Sequence, residues 1–137
     1  MFTDKARAYI ARGKAATYLL CENVAGHMEK HAKENAPWKD RTSHARQSIN
    51  GRATRAGDTT IMSIAHGVRY GKYLEKGTPA HDIRPKVKKA LYWKGADHPV
   101  KLVHHPGTRA YPAILPAAEA GKKMLKEALI ELWKGGV

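Results

Sequence analysis

Cysteine is almost absent from this chain of 137 residues, which contains a single one, Cys21. A lone cysteine forms no internal disulfide, and there is no cysteine pair to hold a zinc ion. Long apolar runs are also missing, so the sequence predicts no membrane-spanning helix. The first residues, MFTDKARAYIARGK, are charged every few positions and lack the apolar stretch of a signal peptide. We therefore expect a basic protein of one domain that folds inside the cell.

Acidic residues are also few compared with basic ones. The chain has 12 Asp and Glu against 25 Lys and Arg, a formal net charge of +13. The excess lies in two middle segments, because residues 38–57 carry five cations against one Asp and residues 81–111 carry seven against two. Such clusters occur in proteins that lie next to nucleic acid, and also on surfaces whose charge only maintains solubility. An apolar fraction of 42% still suffices for a folded core, which excludes a wholly disordered chain.

Helical periodicity marks both ends of the chain. Apolar residues about 3.6 positions apart predict one long helix from about Asp4 to Asn35. A second apolar stripe, which includes Leu115 and Leu125, predicts another helix that starts near Pro116 and ends at Gly135-Gly136.

The middle of the chain has the residues of strands and turns. A polar extended run, a turn and a β-branched run predict a first hairpin over 46–54, 56–58 and 59–65. A short helical turn or irregular segment over 70–76 precedes a second predicted hairpin, formed by 89–94 and 100–104. The sequence therefore predicts one α+β domain over 1–137, with about four antiparallel strands in two hairpins. Its parts are an N-terminal helix (1–36), a sheet with loops (37–111) and a C-terminal helix packed on the sheet (112–137).

No motif has the spacing of a catalytic or cofactor site. There is no GxGxxG or GKS/T loop, and His27 and His31, four apart on the first helix, have no third ligand indicated. The run His81-Asp82-Ile83-Arg84-Pro85 is similar to part of a metal-dependent nuclease site, but its His-Asp order is reversed and no asparagine follows Asn50. The sequence predicts no catalytic residue, no metal ligand and no cofactor.

Four short sequence phrases follow one another over about residues 36–118, in the order in which a known family has them. They are APWKDRTSHARQSI (36–49), YGKYLEKGT (70–78), IRP with KKAL (83–85, 88–91) and VHHPGT with later prolines (103–108, 112, 116). They resemble the motifs AP-x-x-D-x-T-G-x-x-R-x-S-I, Y-A-x-Y-L-E-x-G-T, I-x-P-x-x-x-K-A-L and V-x-HPGT-x-x-x-P-F-L-x-x-A. These motifs are typical of the neck or tail-completion proteins (minor tail components) of long-tailed bacteriophages. The chain departs from them at Ser43, Gly71 and Ala113, where the family usually has glycine, alanine and an aromatic residue.

The resemblance implies a structural role without catalysis. The chain would complete the tail, or join it to the head, as one subunit of a hexamer-like ring that needs no cofactor. Its partners would be copies of itself and neighbouring head-closure, tail-terminator or tail-tube proteins, and it would contact no membrane. It would reside in the virion after assembly in the host cytoplasm.

The same resemblance gives structural tasks to eight signature residues: Tyr70, Tyr73, Glu75, Gly77, Thr78, His105, Pro106 and Gly107. The two glycines would supply backbone angles that other residues resist. The tyrosine rings would pack while their hydroxyls find partners. The glutamate would accept hydrogen bonds from loop N–H groups or from an arginine. The run from His105 to Gly107 would form the turn that leads into the last helix.

Four lysines of the second basic segment are candidates for contact with passing DNA or with an acidic partner: Lys86, Lys88, Lys89 and Lys101. Two other functions stay open. One is a basic nucleic-acid-binding module, whose affinity would fall steeply with salt. The other is a metal-dependent nuclease, against which the missing downstream asparagine argues. Aromatic residues beside cations, as in Leu91-Tyr92-Trp93-Lys94, either stack unpaired bases or alternate between the core and solvent.

Overall fold

A computed structural model describes residues 3–135 of the chain. In chain order its elements are α1 (Asp4–Asn35), α2 (His44–Ser48), β1 (Asn50–Ala56), β2 (Thr59–Ala65), α3 (Gly71–Lys76), β3 (His81–Ile83), β4 (Val103–His105) and α4 (Ile114–Lys134). The strands form two separate antiparallel pairs, β1 with β2 and β3 with β4. The predicted fold class is confirmed: a long N-terminal helix, four strands in two antiparallel pairs, and a C-terminal helix that packs on the strands. Within residues 3–135, no helix is both long and apolar enough to cross a membrane.

The helix α1 contributes buried residues to both clusters of the core. The hydroxyl of Thr3 accepts a hydrogen bond from the N–H of Ala6 at 3.2 Å and so caps the helix. One face buries Val24, Met28 and Ala32, which recur every four residues as one face of a helix requires. The helix covers the range that its apolar periodicity predicts.

The hairpin of β1 and β2 packs against the middle of α1. Its register runs from Asn50 opposite Ala65 to Ala56 opposite Thr59, closed by a turn in which Gly57 has φ +59°. Alternate residues of β2 point inward, among them Met62 and Ile64, which contact the buried residues of α1. The predicted turn and the second strand, 59–65, are confirmed.

The helix α4 lies along α1 and touches β2. It comes close to α1 at Gly121, where a Cβ would overlap the side chain of Met28. The side chain of Leu125 joins the cluster that Met28 forms with Ile64. The predicted apolar stripe is wrong at Leu115, which is 60% exposed because it lies on the opposite side of the first turn. The helix ends at Lys134, and Gly136 of the predicted stop lies outside the described residues.

The single cysteine lies on the face of α1 that meets α4. The side chain of Cys21 is buried, 4% exposed, and lines a groove together with Leu125 and Leu129. Burial raises the pKa of the Cys21 thiol.

Two predicted extended segments are partly wrong. Residues 46–48 are not extended, since they belong to α2; β1 begins at Asn50. The second pair of strands is β3 with β4, whereas 89–94 contributes only an isolated bridge between Leu91 and Val100. The run 89–94 has the composition of a strand but pairs with no other strand except at the Leu91–Val100 bridge. The triplet of β3 pairs with β4 because the loops before β3 and after β4 dock on each other through Thr78 and Thr108.

Candidate functional site

Two Gly-Thr dipeptides from distant signature phrases meet in space. Thr78 and Thr108 form an antiparallel bridge in which each backbone N–H donates to the carbonyl of the other at 3.0 Å. Their hydroxyl oxygens lie 3.1 Å apart. The bridge continues into the ladder of β3 and β4, where His81 pairs with His105. The signature phrases 70–78 and 103–108 therefore form one structural unit.

The glycines that precede these threonines make the close approach possible. Gly77 has φ +73° and Gly107 has φ +85°, so both adopt the positive angles that the resemblance implies. A Cβ on Gly77 would overlap the carbonyl of Thr108, and a Cβ on Gly107 would overlap the carbonyl of Thr78. Each glycine thus makes room for the other loop. The N–H of Gly107 also donates to Nδ1 of His105 at 3.0 Å.

The carboxylate of Glu75 caps the N-terminus of α4. It accepts hydrogen bonds from the backbone N–H groups of Ala113 (2.9 Å), Ile114 (3.0 Å) and Leu115 (2.8 Å). These donors have no partner within the helix, and the positive end of the helix dipole favours a carboxylate there. Of the two expected partners of Glu75, the structure contains the backbone N–H groups.

This cap decides the charge state of Glu75. Burial alone would raise the pKa of Glu75, but the backbone donors and the neighbouring His66 outweigh it, so the pKa is lowered. The Nε2 of His66 lies 3.5 Å from the carboxylate, and its ring packs against Trp38 with centroids 5.8 Å apart. Glu75 is therefore an ionised structural anchor.

The expectation that the hydroxyls of the two signature tyrosines find partners is wrong. Tyr70 and Tyr73 are 48% and 51% exposed, and among the described residues neither hydroxyl has a hydrogen-bond partner. Both rings instead form a cavity of about 310 Å³, lined by Tyr70, Tyr73, Leu74, Thr78, Thr108 and Tyr111. Cations lie over two of these rings: Lys72 is 5.0 Å from the ring centre of Tyr73, and Arg109 is 4.7 Å from that of Tyr111. We call these six lining residues with Lys72 and Arg109 the signature face.

A second hydrogen-bonded anchor lies in the first signature phrase, where the sequence predicted no site residue. Arg46 donates to Oδ2 of Asp40 at 2.8 Å and to the carbonyls of Lys33, Ala36 and Trp38. The Nε1 of Trp38 donates to the other oxygen of Asp40 at 3.2 Å. This network binds the end of α1 to α2. The D and R of the phage motif, which match Asp40 and Arg46, were the sequence signal that could have identified this network.

The paired strands β3 and β4 place a histidine opposite an acid. The Nδ1 of His104 lies 2.7 Å from Oδ1 of Asp82, and both side chains are largely exposed. The next pair along the ladder is His81 opposite His105, whose ring centroids are 5.0 Å apart. Across residues 3–135 there is no group of three His, Cys, Asp or Glu side chains placed to hold a metal ion.

The four candidate lysines all lie in the connection between β3 and β4. Residues 84–102, which we call the cationic arm, carry six Lys or Arg and one Asp. Lys86, Lys88, Lys89 and Lys101 are all exposed. The arm shares no residue with the signature face.

In comparisons with known proteins, no family model, curated protein or solved structure matches the chain.

Proposed function

We propose that the chain is a structural protein of the neck or tail of a long-tailed bacteriophage, which completes the tail or joins it to the head. It acts as a subunit of a hexamer-like ring, without catalysis or cofactor, beside head-closure, tail-terminator or tail-tube proteins. It assembles in the host cytoplasm and remains in the virion.

One observation carries this proposal. The phrases 70–78 and 103–108, which resemble the phage family, dock on each other through reciprocal Gly-Thr contacts. Their one acidic residue, Glu75, caps α4, and their tyrosines remain exposed. Buried anchors and exposed aromatic side chains are what an assembly subunit needs, since aromatic residues are enriched in protein interfaces.

Quantitative mass spectrometry of gradient-purified particles from the parent phage tests the proposal. We expect the chain in a few copies per virion, on the order of one ring, because closed rings contain a fixed number of subunits. Absence of the chain from intact particles would overturn it. Electron cryo-microscopy of the same particles would then place the ring at the neck or at the tail.

The cationic arm favours one alternative, a basic nucleic-acid-binding module. Its cations would neutralise phosphates, and the affinity would then fall steeply with salt as counterions are released. A duplex oligonucleotide titrated at several salt concentrations distinguishes the two functions. A structural subunit binds it weakly, whereas a binding module binds tightly with a steep salt slope.

A further inference from the structure

The cationic arm is long for a connection without its own sheet. It spans 19 residues between β3 and β4, whereas loops above about 12–15 residues without secondary structure are usually functional or disordered. This one is held in shape. Leu91 and Val100 exchange backbone hydrogen bonds of 2.7 and 2.9 Å, and a bond of 3.0 Å from Ala96 to Trp93 closes the tip. The arm is therefore a defined projection.

The arm exposes apolar side chains between its cations. Val87 is 97% exposed, Tyr92 is 68%, Trp93 is 49% and Leu102 is 45%. Four large side chains with apolar surface exposed within this one connection are typical of a surface that binds a partner and is open in the isolated chain. Trp, Tyr and cationic side chains together are the residues that dominate binding energy at protein interfaces.

A second copy of this chain is a poor partner for the arm, because seven of its 12 acidic groups already have a hydrogen-bond or ion-pair partner. Glu29, Glu34 and Asp58 pair with lysines, Asp40 with Arg46 and Asp82 with His104, while Glu22 accepts from Tyr18 and Glu75 caps α4. Of the other five, Asp97 belongs to the arm itself, Asp4 is followed by Lys5, and Glu119, Glu127 and Glu131 share α4 with Lys122, Lys123, Lys126 and Lys134. A copy therefore offers few acidic groups without a neighbouring cation to the six cations of the arm.

Duplex DNA would satisfy the cations but not the apolar side chains. Phosphates accept hydrogen bonds from Lys and Arg, while base faces inside a duplex are stacked on each other and the backbone has no apolar pocket for Val87 or Trp93. A protein surface that combines carboxylates with apolar pockets would satisfy both groups.

We propose that the cationic arm docks on an acidic protein surface that presents apolar pockets, belonging to a protein different from this chain. The inference rests on the proposed function in one respect: the partner is a neighbouring component of the phage particle. Lys86, Lys88, Lys89 and Lys101 supply charge attraction, and Val87, Tyr92, Trp93 and Leu102 enter the pockets. The charges speed the encounter and set the orientation, and the apolar anchors slow dissociation.

Site-specific photo-cross-linking in assembling particles tests this. Tyr92 is replaced by p-benzoylphenylalanine in the full chain, and Leu19, which is 63% exposed on α1, is replaced in a matched control. We expect Tyr92 to cross-link to a different protein, at a peptide rich in Asp and Glu, and Leu19 not to. Adducts with DNA, adducts with a second copy, or no adduct while the chain is in the particle would each overturn the proposal.

Two sets of substitutions separate the contributions. One set changes Lys86, Lys88, Lys89 and Lys101 to Glu, and the other changes Val87, Trp93 and Leu102 to Ser. We expect each to reduce the cross-link at least about tenfold, the equivalent of 1.4 kcal/mol. The control set, Lys122, Lys123, Lys126 and Lys134 to Glu, should leave it unchanged. Loss with the lysine set alone would indicate a simple polyanion and would overturn the proposal, and circular dichroism checks that each variant is folded.

The proposed function and the arm proposal can fail separately. If particles lack the chain, the proposed function fails, and cross-linking from Tyr92 in the producing cells still decides the arm. There an adduct at an acidic peptide that both substitution sets abolish supports docking. A nucleic-acid adduct, or no adduct, overturns it.

Discussion

At the scale of single residues, Glu75 connects two parts of the chain that are far apart in sequence. Its side chain leaves α3 and accepts three backbone hydrogen bonds at the start of α4. Such charge-assisted bonds are about twice as strong as neutral ones. The position of α4 thus depends on one carboxylate that is only 16% exposed.

Replacing Glu75 by Gln should lower the free energy of unfolding by about 1–3 kcal/mol, because the amide keeps one acceptor and loses the charge. Chemical denaturation at neutral pH measures this. Because the pKa of Glu75 is lower when folded than when unfolded, its contribution is present above the unfolded value, about 4.3, and is lost as the pH falls through the folded pKa. Wild type should therefore lose more stability below that value than the variant. Parallel acid titrations of the two would contradict this.

Ser43 adopts a backbone angle that favours glycine. It has φ +63°, the only positive φ of a non-glycine residue among those described, and its side chain does not cap α2. Ser43→Gly should therefore stabilise the fold by up to about 1 kcal/mol, since the left-handed conformation costs other residues about 1–2 kcal/mol and glycine returns part of this as unfolded-state entropy. Thermal melting measures the change.

Gly57 provides the reverse control for that prediction. It has φ +59° with nothing close to its missing side chain. Gly57→Ser should therefore destabilise the fold by a similar amount. If both substitutions shift the melting temperature in the same direction, the backbone angle is not the cause.

The reciprocal glycines allow a steric test. Gly107→Ala adds a methyl group that overlaps the carbonyl of Thr78, whereas Gly95→Ala, at φ +97°, meets open space. Both variants pay the conformational cost of a positive φ, so the additional loss in Gly107→Ala measures the docking of the two loops. We expect that loss to exceed about 1 kcal/mol by denaturant unfolding. Equal losses would mean that the loops separate freely.

The sequence could predict the positive φ angles of the two signature glycines but not the exposure of the two signature tyrosines. Gly77 and Gly107 are readable because few other residues tolerate a positive φ. The exposure of Tyr70 and Tyr73 depends on which side of α3 meets the core, and a helix of six residues is too short to reveal its buried side by periodicity.

At the scale of elements, the contact between α1 and α4 depends on small residues. Gly26 lies in α1 with nothing near it, while Gly121 of α4 faces Met28. Gly26→Ala should stabilise the fold by up to about 1 kcal/mol through helix propensity. Gly121→Ala gains the same propensity but displaces the buried Met28, so it should be destabilising. Urea denaturation of both variants checks this, and a stabilised Gly121→Ala would show that the helices are not closely packed there.

The elements with strong periodicity were predictable, and the others depended on tertiary contacts. Both long helices and β2 follow their apolar patterns closely. The short helix α2 was missed because its start requires a left-handed Ser43, and β3 was missed because three residues carry no period. Loop docking through Thr78 and Thr108, which no local pattern encodes, selects the strands that pair.

At the scale of the whole molecule, the formal net charge of +13 implies self-repulsion in the folded state. Added salt screens this repulsion over distances of about 10 Å at 0.1 M. The melting temperature should therefore rise as sodium chloride is added to a low-salt buffer. A variant with the four arm lysines changed to Glu should show a smaller rise, because its net charge is lower, and an unchanged salt response in that variant would contradict the attribution of the rise to net charge.

Thiol modification of the buried Cys21 can report on the contact between α1 and α4. An alkylating reagent needs the thiolate and physical access, and both are reduced at Cys21, which is 4% exposed and whose pKa is raised by burial. Native-state opening between α1 and α4 should therefore speed modification, and the rate then reports the free energy of that opening. Because the chain has only one thiol, a single mass increment follows the lifting of α4 from α1, with no label introduced.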